Sequence, residues 1–435
     1  MILPYNGANF IVSKDYHIGD LVVIFPPDGQ LSHEFCHYNN LYRDATKNAD
    51  TTVTGFFEDT RRVRVQPFRG VKSEGFAVKI SAFEWTGSTK ELVQGLTFNE
   101  LNGNPICTKY VTEATRKAQS RSDKPVKVRD HYMLNKHYDT EQIRYYMDTI
   151  PPGSFFIITE KLHGTSGRTG FVKAQHERFG MIASLVNRVL KREVIAPVVT
   201  EKYEYVTGTR NTICNNREDI TGLGREHYRW QIHKSMIGRL RKGETIYYEI
   251  VGFDTFGSPI MNSQSIDKIK DKDLQKEIRD KFVKFPFDVI GSRPMVYSYG
   301  CNTVNDNGGM NPAFDFYVYR ITVQNEDGIE TELSWLQTMK RCSELFLKHV
   351  PVLRMIYIHV NEEQSYVSSV LNVILEKFLD NRCSTLDKRH LMEGVVIRVE
   401  NTSGIRAYKA KNYAFQVLEG IVKEDPNAVD VEEAS

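Results

Sequence analysis

Residues 155–165 read Phe155-Phe156-Ile157-Ile158-Thr159-Glu160-Lys161-Leu162-His163-Gly164-Thr165. The apolar opening of this stretch reads as a buried strand, and the charged pair comes only at its end. Gly164, three residues past Lys161, marks a turn. A lysine at the mouth of a strand, beside a turn, can present its amine to a bound ligand. That is the placement needed for a covalent bond between a lysine and a nucleotide.

Three later stretches supply what such an amine would need. Tyr247-Tyr248-Glu249-Ile250-Val251-Gly252 carries a carboxylate inside an apolar strand, which is costly to bury without a partner. Glu249 reads either as half of a buried ion pair or as a contact to a ribose or a metal. Met392-Glu393-Gly394-Val395-Val396-Ile397-Arg398 again opens a β-branched strand with a carboxylate, next to a glycine that permits close approach. A hard cation such as Mg²⁺ keeps several waters, so one or two carboxylates suffice to hold it. In Tyr408-Lys409-Ala410-Lys411 the two lysines, at i and i+2 of a strand, point the same way and form a cationic claw for phosphate.

In chain order these parts are Lys161, Glu249, Glu393 and the pair Lys409 and Lys411. A free lysine amine has a pKa of ~10.4, so leaving it neutral at pH 7 costs roughly 4–5 kcal/mol. A hydrated metal, Lys409 and Lys411 would lower that cost and would stabilise charge on a phosphoryl transition state.

The chain ahead of this region is different in character. Leu21-Val22-Val23-Ile24-Phe25 ends at Pro26-Pro27-Asp28-Gly29, a strand followed by a turn. Arg62-Val63-Arg64-Val65 alternates, so both arginines share one face of an expected strand, and Phe76 to Phe83 reads as another. Short strands at this spacing predict a small β-barrel over residues 1–112. Residues 113–130 are polar and mostly basic, with Arg116, Lys117, Arg121, Lys124, Lys127 and Arg129, and read as a linker. Helices are expected from Thr140 to Asp148 with Thr140 as N-cap, from Asp267 to Phe285, from Ser334 to His349 and from Ser365 to Phe378. The second domain spans 131–423, and residues 424–435 form an acidic tail.

With 435 residues the chain can hold two or three domains, and 40% hydrophobic residues place it among globular proteins. A net charge of +2 gives the whole molecule no strong basic field, so any nucleic-acid surface must be a local patch. Six cysteines with no CxxC pair argue against a zinc ribbon or a disulfide framework and for reduced thiols. The N-terminus lacks the features of a signal peptide, and no apolar run approaches the ~20 residues of a membrane span. The expectation is an intracellular protein, cytoplasmic or nuclear, with no membrane and no obligate protein partner.

The boxes KLHGT, YYEIVG, DFYVYRIT (Asp315 to Thr322), EGVVIR and YKAK resemble motifs I, III, IIIa, IV and V of the covalent nucleotidyltransferases, which comprise DNA ligases, RNA ligases and mRNA capping enzymes. His163, where DNA ligases and capping enzymes have Asp, is similar to the RNA ligases. The front half, with VVIFPPDGQLS, NNLYR and RRVRVQPFRGVKSEGF, resembles the RNA ligases of the Deinococcus/Naegleria type, which carry an N-terminal OB module.

The resemblance implies an α+β fold. An N-terminal OB-like β-barrel would precede a nucleotidyltransferase (adenylyltransferase) domain of antiparallel sheets with flanking helices. It implies an ATP-dependent RNA ligase that seals 3′-hydroxyl and 5′-phosphate ends in nicked or bridged duplexes, one strand of which could be DNA. ATP would form an AMP adduct on Lys161, with Mg²⁺ or Mn²⁺ as metal. Nucleotide contacts would come from Glu160, Leu162, His163, Gly164, Arg210, Glu249, Glu393, Lys409 and Lys411. Phe316 would stack on adenine, with Tyr319 as the alternative. Glu393 and Glu249 would hold the metal. Arg62, Arg64, Arg69, Lys72, Ser166 and Arg168 would contact nucleic acid. Two positions depart from the pattern: Ser166 replaces an Asn found in relatives, and Arg320 stands where many ligases have Asp. The other readings are a DNA ligase, a capping guanylyltransferase, or an inactive nucleic-acid-binding relative.

Overall fold

The computed structural model describes residues 1–6, 8–27, 29–68, 71–111, 130–180, 187, 195–214, 226–282, 295–304 and 309–419. The expected linker (113–130, apart from Asp130) and the acidic tail lie outside these residues, as does Arg69.

The front part is built of short paired strands. β1 (Ile2–Tyr5) pairs with β2 (Ala8–Ile11), β3 (Val22–Phe25) with β7 (Phe76–Lys79), and β4 (Gly29–Leu31) with β10 (Cys107–Lys109). β5 (Gln66–Phe68) pairs with β6 (Val71–Ser73), and β8 (Glu100–Leu101) with β9 (Asn104–Pro105). Among the described residues these pairs do not join into a closed barrel. Their core is aromatic, with Phe25, Phe35, Tyr42, Phe57 and Phe83 packed beside α1 (His33–Tyr38). The stretch at Arg62 departs from expectation. Val63 and Val65 are buried, so the alternation holds, but the backbone makes only one isolated bridge, Gln30 to Arg62. The strand from Phe76 likewise stops at Lys79 and tightens into a 3₁₀ turn, Ile80–Thr86, that drives Phe83 into the core.

The second part is two facing sheets. One has the order β16 (Ile213–Cys214), β15 (Val198–Gly208), β14 (Thr165–Arg178), β17 (Glu244–Gly252), β20 (Phe314–Gln324) and β21 (Glu330–Glu332), with β11 (Asp130–Tyr132) also on β14. The other has the order β12 (Glu141–Gln142), β24 (Gly404–Lys411), β23 (Gly394–Asn401), β13 (Phe155–Lys161) and β22 (Val352–Tyr357). Among the described paired strands only β12 runs parallel to its neighbour, and Lys161 is opposite Gly394 in the register.

Side-chain alternation sorts these strands into layers. Phe156, Ile158, Val395, Ile397 and Val399 pack beneath α5 (Gln364–Phe378), through Val367, Leu371 and Ile374. Ile246, Tyr248, Ile250 and Val318 pack on the far side of the other sheet, against α2 (Tyr228–Met236) and α4 (Trp335–Glu344). Each such fully buried aliphatic side chain stabilises the fold by about 1.5–3 kcal/mol. The intervening cluster takes Ile157 from one sheet and Val251 and Tyr317 from the other, and is closed by α3 (Lys272–Phe282) and α6 (Tyr413–Leu418). The sheet-rich mixture of α and β agrees with the expected class.

The helix expected from Thr140 to Asp148 does not form. Glu141 and Gln142 pair with Tyr408 and Lys409, so their backbone groups belong to the sheet. Two 3₁₀ turns follow, Ile143–Tyr145 and Met147–Thr149, and still bury Ile143 and Met147 under α5. The later helices stand where expected, α4 ending earlier and α5 beginning one residue sooner. α4 starts at a capping box between Ser334 and Gln337, and the charged helix begins at Lys272 after a 3₁₀ turn, Ile266–Lys268.

A buried ladder of charges ties the two sheets together. Arg320 on β20 donates from Nε to Glu332 Oε2 and from a terminal nitrogen to Glu330 Oε1, both at 2.8 Å. Glu332 also accepts from Arg398 on β23, whose Nε lies 2.7 Å from Glu400 Oε1. Glu400 in turn accepts the backbone N–H of Trp335 at 2.6 Å. Arg320 and Arg398 are 7% and 4% exposed, so breaking a rung strands a buried charge. Arg398→Ala is expected to lower the unfolding free energy by about 3–5 kcal/mol. Urea denaturation measures this; a loss below about 1 kcal/mol would show that the ladder does not couple the sheets.

Candidate active site

Lys161 is brought to the gap between the sheets by β13, and Glu393 meets it from the residue before β23. Glu393 is fully buried, and its Oε1 lies 2.9 Å from Lys161 Nζ and 2.9 Å from Lys411 Nζ. One carboxylate thus joins the strand-end lysine to one arm of the lysine pair. Gly394 makes this possible: a Cβ there would sit 2.1 Å from the Ala410 carbonyl oxygen. Gly164 plays the same part on the other side, where a Cβ would lie 2.3 Å from the carbonyl oxygen of Ile250. Lys409, two residues before Lys411, shares its face of β24.

His163 is 4% exposed and fixed on several sides. Its backbone N–H donates to the Tyr299 hydroxyl at 2.6 Å, and its ring meets Tyr297 and Phe415 edge-on. Nδ1 lies 3.7 Å from Glu393 Oε2, and Nε2 lies 3.4 Å from Glu419 Oε1. The histidine therefore links the carboxylate at Lys161 to the end of α6. Leu162 is buried in the cluster between the sheets.

Glu160 is 1% exposed, and its Oε2 accepts from the backbone N–H of Thr385 at 2.9 Å and from the Thr385 hydroxyl. Burial pushes its carboxyl up, with the bonds from Ser384 and Thr385 working against that shift. The loop carrying Thr385 is tied to the Tyr299 segment by Asp387, which accepts from Ser298 at 2.5 Å and from the Gly300 N–H at 3.0 Å. Burial alone would raise the Asp387 carboxyl; bonds from Arg389 and Ser298 outweigh it and hold the group at about 2.

The facing sheet contributes Glu249, which accepts from the Ser166 hydroxyl at 3.1 Å. Register puts Ser166 opposite Glu249 and Tyr317 opposite Glu249 on the other side. A bulge between Tyr247 and Tyr248 makes Tyr319 the extra residue on β20. Burial and then the Glu249 charge push the Tyr319 phenol up, with Ser166 acting against them. Phe316 does not belong to this face. It packs with Tyr248 at 5.2 Å, on the side of the sheet covered by α2 and α4. Of the two aromatics expected at a base, Phe316 thus lies on the outer face of the sheet and Tyr319 beside Glu249 and Ser166.

Arg210 stands in the turn after β15 and pairs with Asp139. Burial would raise the Asp139 carboxyl, but Arg210, Lys109 and Lys409 outweigh it and draw it down. Lys109 of the front part and Lys409 of the claw thus both act on the Asp139 carboxylate. Asp139 and Lys109 escaped the sequence reading because neither stands in one of the motif boxes. Arg229 escaped it too. Its guanidinium donates to the Ser166 carbonyl and the Thr165 hydroxyl, each at 2.7 Å, and so pins the start of β14.

The residues expected at nucleic acid are less uniform. Arg62 lies over the Tyr110 ring at 4.6 Å, Arg64 pairs with Glu58 at 3.2 Å, and Lys72 lies in β6. Arg168, also expected at nucleic acid, is buried, at 2% exposure. Arg320, where many ligases have Asp, is a rung of the charge ladder.

No group of three or more His, Cys, Asp or Glu among the described residues is arranged to hold a metal. Glu393 and Glu249 are oxygen donors on opposite walls of the gap, which suits a hard cation that keeps most of its waters. No helix of the described residues is long and apolar enough to cross a membrane.

Residues 154–411, more than half of the chain, match the family described as RNA ligase. Among solved structures, a mutant RNA ligase of Naegleria gruberi with ATP and Mn is 15% identical, with a TM-score of 0.49 over 94% of this chain and 90% of that one. A second mutant of the same ligase, also with ATP and Mn, is 15% identical with a TM-score of 0.48 over 96% and 91%. A putative ATP-dependent DNA ligase from Aquifex aeolicus is 13% identical with a TM-score of 0.31 over 65% and 50%. No curated protein matches the chain.

Proposed function

Because the chain belongs to the RNA ligase family, we propose that it joins an RNA 3′-hydroxyl to a 5′-phosphate at the expense of ATP. Lys161 attacks the α-phosphate and pyrophosphate leaves. The AMP then passes to the RNA 5′-phosphate, and the 3′-hydroxyl displaces it to close the phosphodiester. The observation that carries this reading is the single buried carboxylate of Glu393 shared by Lys161 and Lys411. One carboxylate thus holds two ammonium groups at a single point of the gap, which suits a site for phosphate.

Lys409 and Lys411 hold the α-phosphate, and Arg210 serves a phosphate at the rim. Glu160 offers its Oε1 to the adenine amino group while Thr385 keeps Oε2 occupied. Tyr319 lies along the base, and Glu249 meets the ribose. A divalent cation, Mg²⁺ or Mn²⁺, when bound, neutralises charge on the transferring phosphoryl group; Glu393 and Glu249 would hold it. Residues 1–112 act as an OB-like RNA-binding module. The Tyr38 and Trp85 rings, stacked at 4.9 Å with Tyr38 half exposed to solvent, support a platform for unpaired bases. The substrate is a nicked or bridged duplex.

The test is incubation with α-labelled ATP or GTP and Mg²⁺ or Mn²⁺, then sealing of nicks with RNA or DNA on the 3′-hydroxyl side. Covalent label from ATP alone, and sealing that requires RNA at the 3′ side, are the expected results. Label from GTP would indicate a capping activity, and sealing of all-DNA nicks alone would make the protein a DNA ligase.

A further inference from the structure

Arg168 is a buried arginine that the scheme above does not employ. Arg320, Arg398, Arg229 and Arg341 are all buried with acceptors in place; Arg341, for example, meets Glu244 at 2.7 and 2.8 Å. Arg168 is more buried than any of them, at 2% exposure, yet its Nε and NH1 have no hydrogen-bond partner among the described residues. Among the described residues, the groups that act on its charge are Tyr247, Tyr319 and Cys214, and none of them is a carboxylate. A buried guanidinium with unmade bonds and no counter-charge is strongly unfavourable unless something else supplies both.

Its position says what that is. Ser166 and Arg168 alternate onto one face of β14, opposite Glu249 and Tyr247 of β17. Gly208 of β15 lies across from it, and a Cβ there would come within 3.1 Å of Arg168 Nε, so the glycine leaves the guanidinium its space. Two residues further on is Arg210. A guanidinium presents a planar fork that matches two oxygens of one anionic group.

We propose that Arg168 is a phosphate-recognition residue, whose fork takes two oxygens of a phosphoryl group bound between the sheets. The phosphoryl group belongs either to ATP or to the 5′-phosphate of the RNA end. That choice of anion rests on the ligase reading; the demand for an anion does not.

The experiment compares wild type with Arg168→Met, which removes the charge, and Arg168→Lys, which keeps the charge without the fork. Melting temperature is read alone, with inorganic tripolyphosphate, and with a 5′-phosphorylated or 5′-hydroxyl oligoribonucleotide. The Met variant is expected to melt at or above the wild-type temperature, because it removes an uncompensated buried charge. It is also expected to lose the stabilisation given by one phosphate probe. Lysine is expected to restore only part of that stabilisation. If the source is ATP, lysine labelling weakens by about 10- to 100-fold while sealing of pre-adenylated RNA is unchanged. If the source is the RNA end, labelling stays intact and AMP transfer to the 5′-phosphate falls by that factor. A Met variant that responds to both phosphate probes as wild type does overturns the proposal, as does one that melts well below wild type. Because the melting measurements need no catalysis, they decide the matter even if wild type takes no label, an outcome that would sink the ligase reading alone.

Discussion

Lys161→Ala is expected to take no covalent label from α-labelled ATP while remaining as stable as the wild type. The loss of label follows from the chemistry: AMP can be held covalently only by the residue that attacks. Lys411 is the obvious substitute, since its Nζ lies 2.9 Å from the same carboxylate oxygen. It is anchored on β24 opposite Gly394, however, and its expected role is to hold the phosphate rather than to attack it. The unchanged stability follows from charge counting. Wild type places two ammonium groups on one buried carboxylate, and removing Lys161 leaves a neutral pair of Glu393 and Lys411. The variant should therefore still seal RNA that is already adenylated, because that step needs no lysyl adduct. Label that persisted in Lys161→Ala would move the nucleophile elsewhere.

Glu393→Ala should be the more damaging change, because it fails in folding as well as in chemistry. It leaves Lys161 and Lys411 facing the same emptied position in a buried setting, each deprived of its carboxylate partner. A buried ion pair broken on one side costs about 3–5 kcal/mol, and the like charges left behind add to that. Urea denaturation should show a loss of at least this size. Glu393→Gln separates the two effects, since it keeps the shape and removes the charge. Its labelling by ATP should fall by at least about 100-fold if the carboxylate positions the amine and the cation, in the range seen when a charged transition-state contact is lost. A Gln variant that labelled faster than wild type at neutral pH would mean that Glu393 serves only to retain the proton on Lys161.

Much of this site was legible because its chemistry is carried by short strands. An apolar run that ends in a charge announces both a buried strand and the end at which it opens. That reasoning located Lys161, Glu393 and the pair Lys409 and Lys411, which the fold brings to one gap between two sheets. Which of Phe316 and Tyr319 faces the gap was not legible, for a definite reason. Residues 314–319 carry aromatic side chains at both parities, so alternation cannot select a face. The bulge between Tyr247 and Tyr248 selects it, and a bulge is a property of two paired strands rather than of either one. The same limit applies to Arg168, whose burial depends on β15 and β17, and to Asp139, which matters only because Arg210 and Lys409 approach from distant segments. The short 3₁₀ turns after Gln142 misled the reading because their buried residues keep a helical spacing while the backbone ahead of them joins β24.

The ladder from Glu330 through Arg320, Glu332 and Arg398 to Glu400 has a consequence for how this molecule meets heat and salt. Its members are shielded from bulk ions, so added salt should weaken surface pairs such as Arg43 with Glu58 and leave the ladder nearly untouched. The cost of stripping water from charges also falls as temperature rises, while apolar burial gains little more per unit area. On warming, therefore, the grip between the two sheets weakens less than the packing beneath their outer helices. The outer layers should loosen first, leaving the gap that holds Lys161 among the last parts of the domain to open.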